Sequence, residues 1–274
     1  MSMFCASVVV VNFKQLSYVN DFLDSLDTLF GTIVSRFEVV IVDNSGEIEI
    51  SDLNKTDIFN ITVIKKGNVG YLKGLGLGMK HGLKSDPDFF VLCNPDVVFE
   101  SELTIQDCKS VIHSGVLAPY VQDLSGAAQN PNRRSKMSVS EQRIWAFMAT
   151  SYVAYFVITW LKSCVKRFVG IARYRQNSLV TTPAPSEIFL PHGSCMFVGR
   201  WLVENADFFD EDIFLWGEEA VIAGKCRENG GKVWFEPSIR VKHISHTSTG
   251  LISERNKYKI WRQSFQVYRR YLNK

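Results

Sequence analysis

Asn94-Pro95-Asp96 follows directly on the apolar run Phe89–Cys93 and sets a carboxylate where a chemical task can be done. The run reads as a buried strand, and in open α/β sheets ligands bind just beyond the carboxyl ends of strands. A carboxylate on a short stiff turn there can hold a divalent cation against a diphosphate. The same tripeptide also suits an ordinary turn, because Pro presets φ and Asp bonds nearby backbone. Three further polar turns end apolar runs in the first hundred residues: Asn12, Asp43-Asn44-Ser45-Gly46, and the stretch from Gly67 and Asn68 to Gly70. Later in the chain, Trp216-Gly217 precedes the acid pair Glu218-Glu219, a placement that also suits a helix N-terminus, whose dipole favours acids. His243 and His246 follow in a polar stretch, where a lone histidine is often merely at the surface.

The elements that must position these residues alternate in type. Residues 6–11, 37–42, 61–65 and 89–93 are apolar, β-branched or aromatic runs with strand character. Val19, Phe22, Leu23, Leu26, Leu29 and Phe30 recur at helical spacing, and residues 72–83 form a second predicted helix despite their glycines. Strands alternating with helices imply parallel βαβ units with right-handed crossovers, so all four polar turns share one rim. Gly74, Gly76 and Gly78 have the wrong spacing for a dinucleotide fingerprint. Beyond residue 190 the pattern gives a strand at 196–198, a helix at 219–229 and a short strand at 232–236 that closes on Pro237.

Between these parts, residues 121–187 are less regular, with a polar loop predicted over 123–137. Residues 144–161 then run for eighteen positions without a charge, bracketed by Arg143 and Lys162. That length is at the threshold for spanning a bilayer, and Trp145, Tyr152, Tyr155 and Trp160 favour a membrane interface. A single span would put the two halves of the motif set on opposite sides of a membrane. The sequence therefore predicts a helix lying in the interface or packed in protein, with a buried helix or helical hairpin as the plainer solution. The tail, 257–272, places Tyr258, Trp261, Phe265, Tyr268 and Leu272 at spacings of three and four, the pattern of an interfacial amphipathic helix.

With 274 residues and 46% hydrophobic content, the chain can bury one large domain or one domain with an appendage. A net charge of +3 gives no reason to expect nucleic acid as a partner. The charge is uneven, however: residues 162–175 hold five basic residues and no acid, and 255–274 hold seven and no acid. Such stretches suit anionic lipid, phosphate or a solvated surface. Six scattered cysteines, none in a CxxC pair, read as reduced thiols in a cytosolic protein. Residues 1–6 show no basic flank or cleavage site, so no signal peptide is expected.

VVVVNFK at 8–14, VDNSG at 42–46, NVGY at 68–71, CNPDV at 93–97, HGSCMFVGR at 192–200, FDEDIFLWGEE at 209–219 and KHISHTS at 242–248 occur in that order. Together they resemble family 2 inverting glycosyltransferases of the GT-A fold, most like the rhamnosyltransferases of bacterial O-antigen and capsule assembly. The resemblance covers about residues 5–100 and 188–272. It implies a Rossmann-like α/β fold, a mostly parallel central sheet flanked by helices, with a helical membrane-facing insertion and a C-terminal amphipathic helix. By the same resemblance, residues 1–120 form the nucleotide-sugar half, 121–187 the variable insertion, 188–250 the acceptor and catalytic half, and 251–274 the basic aromatic tail.

The resemblance also implies roles. Asp96 would carry Mg²⁺ or Mn²⁺, with Asn94 standing where many relatives have a second aspartate. His243 would reach the same metal or the diphosphate, and His246, where relatives have Gly, has no role assigned. Glu219 would be the general base and Glu218 would orient acceptor or backbone. Relatives usually have Asp at the base position, and some have an acid where this chain has Val221. Asp43 would accept the N3–H of a pyrimidine beside Asn12. Asn68 and Gly70 would approach ribose and phosphate, while Leu75-Gly76 replaces a usual Asn-Asn. His192, Gly193 and Trp216 would line the acceptor pocket. The implied donor is a dTDP- or UDP-sugar such as dTDP-rhamnose, and the acceptor a polyprenyl-diphosphate-linked glycan at the inner face of the cytoplasmic membrane. Two rivals remain: a non-catalytic nucleotide-sugar-binding or membrane-docking protein, and a sugar-phosphate nucleotidyltransferase, for which residues 10–15 lack the Gly-rich basic loop.

Overall fold

A computed structural model describes residues 4–54, 59–174, 183–207, 211–244 and 252–272. Among them the chain runs β1 (Phe4–Asn12), α1 (Leu16–Phe30), β2 (Val34–Asp43), β3 (Asn60–Lys65), α2 (Tyr71–Gly82), β4 (Phe89–Cys93), β5 (Val97–Phe99), α3 (Ile105–Ser114) and β6 (Gly115–Asp123). It continues through α4 (Val139–Met148), α5 (Tyr152–Tyr174), β7 (Ser186–Glu187), β8 (Cys195–Gly199), α6 (Arg200–Asn205), α7 (Glu218–Glu228), β9 (Lys232–His243) and α8 (Glu254–Tyr268). One sheet carries the order β3-β2-β1-β4-β8-β6-β9-β5, with β7 on β9.

The first half is parallel, as the βαβ pattern predicts: β3, β2, β1 and β4 run in one direction. The second half is mixed rather than mostly parallel, since β8 is antiparallel to both β4 and β6, and β5 is antiparallel to β9. Side chains along the central strands alternate between two cores. Val9 and Val11 of β1 with Phe90 and Leu92 of β4 face one cluster, shared with α2, α7 and α8. Ala6, Val8 and Val10 with Phe89, Val91 and Cys93 face the other, shared with α1 and α3. Both faces of these strands are covered, which is why they read as unbroken apolar runs.

The glycines of α2 have a packing role. A Cβ at Gly74, Gly78 or Gly82 would lie within 3 Å of Val11, Val9 and Ser7 respectively, so spacing of four residues lets the helix sit flush on β1. At the other end of the sheet, β9 does not stop at Pro237. Pro119 pairs with Glu236 and Tyr120 with Arg240, so residues 237–239 bulge and the strand resumes to His243.

The apolar stretch 144–161 is two helices rather than one. Met148 ends α4, and Ser151 opens α5 by accepting the Ala154 N–H at 3.1 Å, as an N-cap does. Among the described residues no helix is long and apolar enough to cross a membrane. The expected tail helix is present as α8, but its aromatic face points inward. Tyr258, Phe265 and Tyr268 are buried, Trp261 stacks on Phe265 at 5.3 Å, and Tyr155 of α5 closes on Trp261 at 5.2 Å. An aromatic face spent on the protein core is not available to a lipid surface, so the interfacial reading of the tail is corrected.

Candidate active site

The sheet brings distant residues to one rim by reversing a strand. Because β8 is antiparallel to β4 and Cys93 pairs with Cys195, the residues before β8 come to lie beside those after β4. The Asn94 N–H donates to the Ser194 carbonyl at 2.9 Å, which locks the two turns together. The bulged end of β9 does the same for His243. Val97 of β5 pairs with His243, and the Ile244 N–H donates to the Asp96 carbonyl at 2.8 Å.

A cavity of about 590 Å³ opens at this rim, and nine of the predicted residues line it: Asn68, Gly70, Asp96, His192, Gly193, Trp216, Glu218, Glu219 and His243. Within this lining, Asp96 Oδ1 lies 3.3 Å from His243 Nε2, and both side chains are almost fully buried. His243 Nδ1 meets Gln129 Oε1 at 2.9 Å. An amide oxygen only accepts, so Nδ1–H donates to it and the ring is held with Nε2 towards Asp96. One hard oxygen and one imidazole nitrogen side by side fit a divalent cation, Mn²⁺ more readily than Mg²⁺. No group of three or more such ligating side chains occurs among the described residues. A cation held here would complete its shell with phosphate oxygens and water, which is common for cations serving diphosphates.

Glu218 and Glu219, in the first turn of α7, line the same cavity. The turn into the helix is sharp: Trp216 has φ 64 and Gly217 φ 101. A Cβ at Gly217 would meet the Tyr268 ring at 2.1 Å, so both conformation and space require glycine there. Gly193 makes room for the acids in the same way, since its Cβ would lie 2.5 Å from Glu218 Oε1. Burial, and next the Glu219 charge, pushes the Glu218 carboxyl up to about 8. Burial also raises Glu219, while backbone N–H groups and Glu218 donate to it and lower it. Glu218 is the more enclosed of the two. Both carboxyls are thus held above the usual range, and a proton shared between them is favoured near neutrality.

Asn12 and Asp43 stand apart. They are paired across β1 and β2 at the same rim, but neither lines the cavity, and both are fully buried. Asp43 accepts from the Asn12 side chain at 3.1 Å, the Ser45 N–H at 3.0 Å, the Ser45 hydroxyl at 2.5 Å and the Ile48 N–H at 2.8 Å. Burial raises this carboxyl, and the four hydrogen bonds outweigh it and bring it below the usual range. In this arrangement Asp43 organises the loop after β2. His246 lies outside the described residues, as do Phe209 and Asp210 of the motif before α7.

Several lining residues were not foreseen. Asn44, Tyr71, Asn132 and Phe214 face the cavity. Asn44 Oδ1, Tyr71 Oη and Glu218 Oε2 are buried and have no hydrogen-bond partner among the described residues. Buried polar atoms are normally satisfied, so three of them around one cavity mark a polar ligand's place. Asn130 sits behind the wall: its Oδ1 accepts the His192 N–H and its Nδ2 donates to the Pro119 carbonyl, both at 2.8 Å. The recurrence of Asn-Pro, at 94–95 and 130–131, was the one available signal for that second turn.

No family model matches the sequence, and no curated protein does. The fold has clear likenesses. GalNAc-T7, solved with UDP, GalNAc and Mn²⁺, superposes with a TM-score of 0.58 at 14% identity, over 98% of this chain and 50% of that one. S. aureus TarS superposes with a TM-score of 0.51 at 14% identity, over 88% of this chain and 36% of that one. Both are GT-A glycosyltransferases. The fold is GT-A. At such identity the likeness is one of fold alone, and the chain spans half or less of the length of these neighbours. Within a GT-A fold the cavity lies at the carboxyl ends of β1, β2 and β4, where the sheet's strand order leaves a crevice.

Proposed function

We propose that this chain is an inverting glycosyltransferase that moves a sugar from a nucleoside-diphosphate donor to an acceptor hydroxyl. The observation that carries the reading is that one cavity is lined by the close pair Asp96 and His243 and by the acid pair Glu218 and Glu219. Asp96 and His243 would hold Mg²⁺ or Mn²⁺, which supplies neutralisation of the charge that gathers on the departing diphosphate. The chain's own residues do the rest. Glu219, ionised and open to the cavity, takes the proton of the acceptor hydroxyl as its oxygen bonds to the anomeric carbon and the bond from that carbon to the diphosphate breaks. Glu218 keeps its proton and donates to Glu219, fixing its direction. Attack from the side opposite the diphosphate inverts the anomeric configuration. Tyr71 and Asn44 offer unsatisfied polar atoms to the donor, and Trp216 with His192 and Gly193 shapes the acceptor side.

In this reading residues 1–120 bind the donor, 188–250 bind acceptor and carry the base, and 121–187 and 251–274 are appended. The motif order further supports a family 2 enzyme, a dTDP- or UDP-sugar such as dTDP-rhamnose, and a polyprenyl-diphosphate-linked glycan at the inner face of the cytoplasmic membrane in surface-polysaccharide assembly. The test is to incubate the protein with Mn²⁺ and a panel of nucleotide sugars and to measure nucleoside diphosphate release. Release from one pyrimidine donor, with a product of inverted anomeric configuration by NMR, is expected. Binding of nucleotide sugars with no release under any acceptor would favour the non-catalytic alternative instead.

A further inference from the structure

The outward surface of α5 is apolar where a soluble helix would be polar. Val153, Phe156, Val157, Trp160 and Leu161 are all exposed, between 44% and 68%. Their spacings of three and four put them on one helical face. The opposite face, with Tyr152 and Tyr155, packs onto Tyr258 and Trp261 of α8. On the adjoining helix, Val139, Ile144 and Phe147 of α4 are exposed as well. These eight residues are more than half of the fourteen large hydrophobic side chains exposed among the described residues. Single exposed apolar residues need no explanation, but a concentration of this kind marks a contact surface.

Charge identifies what covers it. From residue 142 to 186 the sequence has six basic residues and no acid. Arg143 and Lys162, which bracket the uncharged run, are both exposed. An exposed aromatic and aliphatic face edged by cations matches an anionic lipid surface, with the rings at headgroup depth and the cations over lipid phosphates.

We infer that the outer face of α5, with the exposed residues of α4, docks this protein parallel to an anionic bilayer. The tail helix is the platform beneath and makes no lipid contact through its aromatic face. The placement also bears on the active site. Ser264 of α8 donates to the Leu215 carbonyl at 2.7 Å, and Leu215 and Trp216 line the cavity. One helix layer thus separates the docking face from the wall that would receive an acceptor, a connection that alone rests on the transferase reading.

The experiment uses the full chain and two vesicle preparations, pure phosphatidylcholine and phosphatidylcholine with phosphatidylglycerol, in a sedimentation assay. Wild type is expected to pellet with the anionic vesicles and at least tenfold less with neutral ones, with binding falling as salt rises. The Phe156→Asp/Trp160→Asp variant, altered only at exposed positions, should lose vesicle binding while its circular dichroism and nucleotide binding stay as in wild type. Lys162→Gln should weaken partitioning about fivefold, the effect of one cation near an anionic surface. Failure of wild type to pellet with anionic vesicles overturns the inference, and so does equal pelleting with neutral ones. A dimer by light scattering that the Phe156→Asp/Trp160→Asp variant dissociates would also overturn it, showing that a second copy covers the face. None of these outcomes depends on whether a sugar is transferred.

Discussion

Glu218 and Glu219 are adjacent in sequence but differ in environment, and that difference is what would let one hold a proton while the other takes one. Glu218 is 8% exposed, and its carboxyl is carried from 4.5 up to about 8, by burial first and by the Glu219 charge second. Between those two values the folded protein binds more protons at this residue than the unfolded chain does, so stability declines as pH rises through that window and levels off above it. A Glu218→Gln variant lacks this titration. It should melt several degrees above wild type at about pH 8.5 and converge on wild type towards about pH 5, a difference measurable by calorimetry across pH. Equal melting temperatures at the alkaline end would show that Glu218 is not held neutral by its surroundings. The residues behind this site illustrate what a sequence discloses at this scale. Asp96, Glu218, Glu219 and His243 stood out because acids and histidines at strand and helix ends are few. Gln129 and Asn130 did not, because a loop amide carries no sign of which distant group it will orient.

At the scale of elements, placement depends on backbone turns more than on side-chain chemistry. Trp216 and Gly217 both take left-handed conformations, and together they aim the first turn of α7 at the cavity. Gly217→Ala meets two penalties, the positive φ and a Cβ 2.1 Å from the Tyr268 ring. It should destabilise the fold by about 2 kcal/mol or more in urea denaturation and lower transfer disproportionately, because α7 must shift. Wild-type stability and turnover in that variant would remove the turn from the account. Strands β1, β2 and β4 were legible because burial on both faces makes them continuous apolar runs, and β3, half-exposed at the sheet edge, because of its β-branched residues. Three other features were not. β5 is three residues long and follows a turn directly, β6 carries Pro119, and β9 passes Pro237 through a bulge. Each relies on a partner strand distant in sequence to supply its register. The same limit explains why a mostly parallel sheet was expected: local pattern fixes that a strand exists, and only its neighbours fix its direction. Residues 144–161 were likewise legible as apolar, with a helical hairpin among the readings, but the point of division was not, since Thr150 and Ser151 are too short a polar interruption to announce a helix end.

The whole molecule is joined by one sheet. The β4–β8 ladder ties strands β1 to β4 to the strands that carry the rest of the site, so binding in the crevice should stabilise the chain as a unit. A nucleoside diphosphate with Mn²⁺ at about a hundred times its Kd should add roughly 2.7 kcal/mol and raise the melting temperature by several degrees. Neither component alone should match the pair, since Asp96 and His243 leave most of a cation's ligands to phosphate and water. A shift produced equally by the nucleotide without the cation would separate the cation from this wall of the cavity. In the proposed reaction Asp96 acts on the diphosphate and Glu219 on the acceptor proton, both from the lining of one cavity. Calorimetric titration of nucleoside diphosphate with Mn²⁺, run beside a transfer assay on wild type, Asp96→Ala and Glu219→Gln, tests it most directly. Asp96→Ala should lose Mn²⁺-dependent binding and transfer together, whereas Glu219→Gln should bind as wild type does and transfer about 10² to 10⁴ times more slowly. Full turnover in Glu219→Gln, or unchanged Mn²⁺-dependent binding in Asp96→Ala, would contradict it.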